Sequence, residues 1–243
     1  MVQRHLRRAL RATRNALVGR DELPIIDQLI RRDPRSQTFF SAIDFVNYEQ
    51  VAGDIVEFGV FTGISLALLA KAHSFDPKGM TRRIVGFDSF DGLPPSAEEH
   101  ARWHEGACRT SHGWHPFVPE GARVTPDITH ELFAACGLPA PDLHEGHFDR
   151  TARRLFPAPY GAVAVAHLDC DLYESTKSAL ESIGPALQDG TVLLFDDWFH
   201  YRGNPAKGEA RAFREFLDAH SEWTSTHYRS YSTFCNAFIL SRR

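Results

Sequence analysis

Two short acidic stretches carry the residues best suited to chemistry: Asp169 and Asp171 in HLDCDLYEST, and Asp196 with Asp197 in LLFDDWFH. Each follows an apolar run. If those runs are neighbouring parallel strands, the acids meet at the carboxyl edge of a sheet, where α/β folds place their ligands. Asp169, Asp196 and Asp197 would offer three hard oxygen donors, a set suited to Mg²⁺. Consecutive strand residues point to opposite faces, so Asp196 and Asp197 converge only where the strand has begun to turn. Asp171 reads differently: with Glu174 three positions on, it resembles the N-cap of a capping box.

A second constellation lies upstream in DIVEFGVFTGIS, where an apolar strand runs into Glu57, Gly59 and Gly63 before a helix begins. Glycine there permits a sharp turn and close backbone approach, and the helix start presents free N–H groups. The dinucleotide pattern G-x-G-x-x-G is absent. An acid at Glu57 suits a ligand carrying an ammonium or sulfonium better than a pyrophosphate, and S-adenosylmethionine carries both charges. Asp88, closing the next strand in IVGFDSF, lies where a carboxylate accepts hydrogen bonds from ribose hydroxyls; a turn residue leading into Gly92 is its simpler reading.

Two other functions fit parts of this pattern. The D-x-D of Asp169 and Asp171 is compatible with a metal-dependent nucleotide-sugar glycosyltransferase, although no basic cluster accompanies it. A non-catalytic nucleoside-binding module would explain the glycine turn but not the acid trio. The histidines and cysteine at His104, Cys108, His112 and His115 raise a zinc reading, set against substrate-contacting or exposed histidines.

These residues need a frame, and the sequence supplies one: short apolar runs alternate with segments of helical period, the order of an α/β parallel sheet. Strands are expected at 54–58, 83–87, 143–148, 162–168 and 191–195, with a closing antiparallel pair at 223–228 and 234–240. Helices are expected at 65–71, 151–155, 173–187 and 207–220. Residues 91–130 break the rhythm with Pro94, Pro95, Pro116, Pro119, Pro126, Trp103 and Trp114, as a substrate lid would. The expected division is an N-terminal helical extension, 1–38, and a catalytic domain, 39–243, bearing that insertion.

Composition narrows the class. The chain has 243 residues, 43% of them hydrophobic, and a net charge of −4, a balance that argues against a nucleic-acid partner. Residues 1–20 hold six Arg and no acid; taking those six charges from −4 leaves −10 for the rest. That start is expected to form a solvated or subunit-contacting helix in a homo-oligomer rather than a membrane anchor, since no apolar run nears the roughly 20 residues a span needs. Cys108, Cys136, Cys170 and Cys235 form no C-x-x-C pair, as suits a reducing cytoplasm.

The motifs GDIVEFGVFTG, GFDSFDGLP, HLDCDLYEST and LLFDDW together resemble the macrocin O-methyltransferase family of metal-dependent S-adenosylmethionine enzymes, from about residue 39 to the end. The resemblance implies a Rossmann-like, mostly parallel seven-stranded sheet with an antiparallel C-terminal pair. It also implies S-adenosylmethionine and Mg²⁺, and methylation of a hydroxyl on a sugar or phenolic ring of a secondary metabolite or glycoconjugate. Carried over by position, Asp169, Asp196 and Asp197 would hold the metal. Glu57, Gly59, Phe61, Gly63, Ser65 and Asp88 would line the cofactor, and Gly146, His147 and Phe148 the adenine side. His147 replaces the aromatic residue usual in the family, and no lysine follows Asp169 to act as a base. Asp169 is therefore expected to act as ligand and proton acceptor, with His200 as the alternative base.

Overall fold

The computed structural model describes residues 23–75 and 80–243; the Arg-rich segment 1–20 lies outside them. Among the described residues, seven strands form one sheet: β1 (Asp54–Phe58), β2 (Ile84–Asp88), β3 (Asp142–Glu145), β4 (Val163–Leu168), β5 (Val192–Phe195), β6 (Trp223–Tyr231) and β7 (Cys235–Arg242). Their spatial order is β3-β2-β1-β4-β5-β7-β6. The first five are parallel, and β7 runs antiparallel to both β5 and β6. The strand order reverses between β1 and β4, which neighbour each other although far apart in sequence. That switch point opens a crevice at the carboxyl edge.

The helices are α1 (Ile25–Arg32), α2 (Ser36–Tyr48), α3 (Ile64–Ser74), α4 (Pro126–Ala135), α5 (Phe148–Thr151), α6 (Tyr173–Ile183) and α7 (Gly208–Ala219). Pro126 opens α4 at a position where its missing N–H costs no bond. Both sheet faces are covered. In β1, Ile55 packs on one side with Phe39, Ile43, Leu66, Leu69 and Phe133, whereas Val56 and Phe58 pack on the other with Leu180, Ile183, Phe213 and Phe216. This alternation with burial on both faces explains why β1, β4 and β5 read as continuous apolar runs.

Three expected elements change. The strand at 143–148 stops at Glu145, because Gly146 takes a positive φ and Phe148 begins α5. The helix at 151–155 is the end of α5 followed by a 3-10 turn, Ala152–Arg154. The helix at 173–187 ends at Ile183, where Gly184 and Pro185 start another 3-10 turn. The insertion is mostly irregular, with a narrow antiparallel contact between Thr110 and Arg123. Its start is tied down: Glu174 accepts from Ser96 Oγ at 2.8 Å and Ala97 N at 3.0 Å, and Glu98 accepts from Gly208 N at 2.7 Å and Arg211 Nη1 at 3.1 Å. No helix among the described residues is long and apolar enough to cross a membrane.

Candidate active site

The crevice is a cavity of about 1450 Å³ lined by the β1–α3 turn, the acidic ends of β4 and β5, the 33–35 turn and the insertion. The turn is shaped by its glycines. At Gly59, φ is +89° and an added Cβ would stand 1.7 Å from the Asp169 carbonyl oxygen, so β1 and β4 approach each other only because no side chain is there. At Gly63, φ is +83° and the residue opens α3, with Thr129 filling the space beyond. Phe61 also has positive φ. Its N–H donates to Asp88 Oδ2 at 2.7 Å, while Phe90 N–H donates to Asp88 Oδ1 at 2.7 Å. Asp88 thus fastens the glycine turn and makes its own Asx-type turn, so the ligand-facing and turn readings coincide in one carboxylate. Burial raises its pKa against the lowering effect of these N–H groups.

Gly59, Phe61, Ser65, Asp88, His147 and Phe148 line the cavity. Glu57 does not. It is wholly buried in β1, with Oε1 2.7 Å from His167 Nδ1, and Oε2 has no hydrogen-bond partner among the described residues. The expectation that it faces a bound cation directly is corrected: its cation is His167, because both side chains project from paired strands into the same interior. Gly146 acts through its backbone, donating its N–H to the Asp88 carbonyl at 2.8 Å. Phe148 turns partly inward, edge-on to Phe58 at 5.1 Å.

Asp169, Asp196 and Asp197 all line the cavity, but two of them form a pair and the third diverges. Arg35 Nη1 lies 3.1 Å from Asp169 Oδ2 and 3.1 Å from Asp196 Oδ1. Ligand atoms of His167, Asp169 and Asp196 lie within 4.8 Å of one another. Asp197, past the end of β5, instead has Oδ1 3.2 Å from His200 Nε2, and its Oδ2 accepts from Asp171 N at 3.1 Å. Asp171 is no helix cap. It adopts φ +64°, α6 starts after Leu172 without a side-chain cap, and Glu174 is engaged by the insertion.

The electrostatics follow from this crowding. Burial opposes a charge on His167, yet Asp196 and Glu57 outweigh it and hold the imidazole protonated to about 10; its Nε2 stands 3.5 Å from Asp196 Oδ1, longer than an ordinary hydrogen bond. Burial would raise Asp196 too, but Arg35 and His167 hold it below the usual carboxylate range. Asp169 goes the other way, raised by burial and by the Asp196 charge despite Arg35. The two carboxylates offer hard oxygens, and His167 Nε2, which makes no hydrogen bond among the described residues, stands beside them. The donor set therefore fits an oxygen-seeking divalent ion.

His200 lies against the cavity with its ring stacked on Phe234 at 4.1 Å and edge-on to Trp103 at 5.2 Å. It is a held histidine, not a solvent-facing loop residue. The proposed zinc quartet does not assemble: among the described residues the only such group is His167, Asp169 and Asp196, and His112 packs on Phe61 and Trp114. Arg35 and His167 escaped the sequence reading. An isolated histidine inside an apolar strand that ends in Asp was the available signal for His167; Arg35 had none.

The strand order, the glycine turn and the acids beyond β4 and β5 define a Rossmann-like methyltransferase fold. The sequence matches the macrocin O-methyltransferase (TylF) family model over residues 4–225. The 8-demethyl-8-(2,3-dimethoxy-α-L-rhamnosyl)-tetracenomycin-C 4′-O-methyltransferase of Streptomyces olivaceus is 32% identical over 188 residues, which span 75% of this chain and 66% of that protein. In three dimensions the O-methyltransferase NovP superposes with a TM-score of 0.64 at 22% identity, covering 86% of this chain and 80% of that one. The calicheamicin methyltransferase CalS11 gives 0.60 at 23%, covering 88% and 89%. The chain belongs to the macrocin O-methyltransferase family.

Proposed function

We propose that the chain is an S-adenosylmethionine-dependent, Mg²⁺-dependent O-methyltransferase acting on a hydroxyl of a sugar or phenolic ring in a secondary metabolite. One observation carries this reading: a single cavity is lined on one side by the glycine turn with Asp88 and on the other by Asp169, Asp196 and the His200–Asp197 pair. The rhamnosyl tetracenomycin named for the Streptomyces relative supports a glycosylated aromatic acceptor.

When bound, S-adenosylmethionine supplies an already activated methyl group, and Mg²⁺ makes an acceptor hydroxyl easier to deprotonate. The chain's own residues do the rest. The N–H groups at the start of α3 and the Asp88 carboxylate bind and orient the nucleoside. Asp169 and Asp196 would hold the ion. His200, whose ring Asp197 holds through Nε2, would take the hydroxyl proton at Nδ1. Trp103 and Phe234 flank that imidazole and keep water from it. The glycosyltransferase alternative loses its basis here, since among the described residues the group that could share an ion with Asp169 is His167 and Asp196, not Asp171.

The test is incubation with S-adenosylmethionine, Mg²⁺ and a panel of hydroxylated glycosides and phenols, read by the mass gain of one methyl. Thermal stabilisation by S-adenosylmethionine or its demethylated product is expected alongside. Stabilisation only by a nucleotide sugar plus metal would overturn the proposal.

A further inference from the structure

We infer that Arg35 is a built-in counter-ion that occupies the divalent-cation position between Asp169 and Asp196 and must withdraw for the ion to bind. The inference rests on the reading of those two carboxylates as metal ligands. Its basis is symmetric geometry: one nitrogen, Nη1, stands 3.1 Å from an oxygen of each acid. A divalent ion takes such oxygens at about 2.0–2.6 Å. It cannot do so beside a guanidinium nitrogen already centred on the same two atoms, because the two positive charges would face each other at close range inside a half-buried cavity.

Arg35 is not held by those acids alone. Its other edge grips Asp33, with Nε 3.0 Å from Oδ1 and Nη2 2.8 Å from Oδ2, and its backbone N–H donates to Oδ1 at 2.9 Å. The guanidinium can therefore swing off Asp169 and Asp196 as a rigid plane, about its own side-chain bonds, and keep a charged contact with Asp33. Asp33 provides a resting place, so withdrawal does not leave the guanidinium without a charged partner. The turn lies between α1 and α2, and Asp33, Pro34 and Arg35 line the cavity together with Gln28, Leu29 and Arg32 of α1. The turn between the N-terminal helices thereby reaches the metal position through Arg35. In the ion-free protein Arg35 offsets repulsion between Asp169 and Asp196; in the loaded protein that offset is redundant, and its charge opposes loading.

The experiment is titration of the full chain with Mn²⁺, following the free-ion electron paramagnetic resonance signal, in wild type and R35Q. R35Q should bind Mn²⁺ at least about tenfold more tightly, the scale expected from removing one nearby positive charge. Without metal it should melt below wild type, and saturating Mn²⁺ should raise its Tm by more than it raises that of wild type. Equal or weaker binding by folded R35Q, with wild type still binding, would overturn this inference and leave the metal reading intact. Absence of Mn²⁺ binding in both proteins would overturn both. Should R35Q not fold, the Arg35 Nη–H resonances of the wild type decide: saturating Mg²⁺ should shift them as the guanidinium leaves Asp169 and Asp196, and unchanged resonances would overturn the inference.

Discussion

His200 Nε2 stands 3.2 Å from Asp197 Oδ1, so the second acid of the Asp196–Asp197 pair holds the imidazole proposed as the base, while the first faces Asp169 across Arg35. Consecutive carboxylates in the sequence thus serve two separate purposes on one cavity wall. His200→Gln removes the proposed proton acceptor without touching Asp169, Asp196 or the glycine turn. We expect kcat to fall by about 10²- to 10⁴-fold, with affinity for the demethylated cofactor product unchanged in calorimetry. Undiminished kcat would show that His200 is only packed against Phe234.

Asp88 has both carboxylate oxygens on backbone N–H groups, one of them from the turn that would cradle the nucleoside. Asp88→Ala should weaken S-adenosylmethionine binding by about 1.5–3 kcal/mol and also lower the melting temperature, because the 59–63 turn loses its fastening. Titration and melting measured on the same sample separate these effects. A lower melting point with unaltered cofactor affinity would make Asp88 a turn residue alone.

Gly59 is the closest passage between β1 and β4, and an added Cβ would fall 1.7 Å from the Asp169 carbonyl oxygen. Gly59→Ala must push those strand ends apart. Destabilisation beyond about 4 kcal/mol is expected in chemical denaturation, the range of mutations that force a buried backbone clash. A loss below about 1 kcal/mol would mean that the two ends are less closely joined.

His167 gives a pH signature. Its folded pKa, about 10, lies above the ordinary 6.5 of an unfolded imidazole, so its ion pairs stabilise the fold fully below about pH 6.5. That contribution is lost as pH rises through about 10. The stability gap between wild type and His167→Gln should therefore shrink steadily over this window. A gap that is constant, or that widens toward alkaline pH, would show that His167 is neutral between Glu57 and Asp196.

Much of this frame was legible in the residues. β1, β4 and β5 are buried on both faces, and their unbroken Val, Ile, Leu and Ala runs announce it. β3 is a polar strand at the sheet edge, DLHE, and its end was misplaced because Gly146 is the one mark of the turn before Phe148 opens α5. The α2 and α4 helices were not anticipated, and α1 only as part of the helical extension over 1–38. Local spacing picked out Asp88, Asp169, Asp196, Asp197 and His200, all of which line the cavity. Partners across long sequence separations could not be read: Arg35 reaches Asp169 over 134 residues, and His167 reaches Glu57 over 110. The capping box at Asp171 failed for a related reason, since Glu174 is claimed by Ser96 and Ala97 of the insertion.

The central claim is that Asp169 and Asp196 hold a divalent ion required for methyl transfer from S-adenosylmethionine. Its most direct measurement is transfer to an accepted glycoside or phenol by wild type and Asp169→Asn, each stripped with chelator and then resupplied with Mg²⁺. Stripped wild type should lose turnover yet still bind S-adenosylmethionine, and Mg²⁺ should restore it. The Asn variant, left with a single charged ligand in the pair, should bind the cofactor and remain inactive at the same Mg²⁺ concentration. Full methyl transfer in excess chelator, by wild-type protein shown to be metal-free, would contradict the claim.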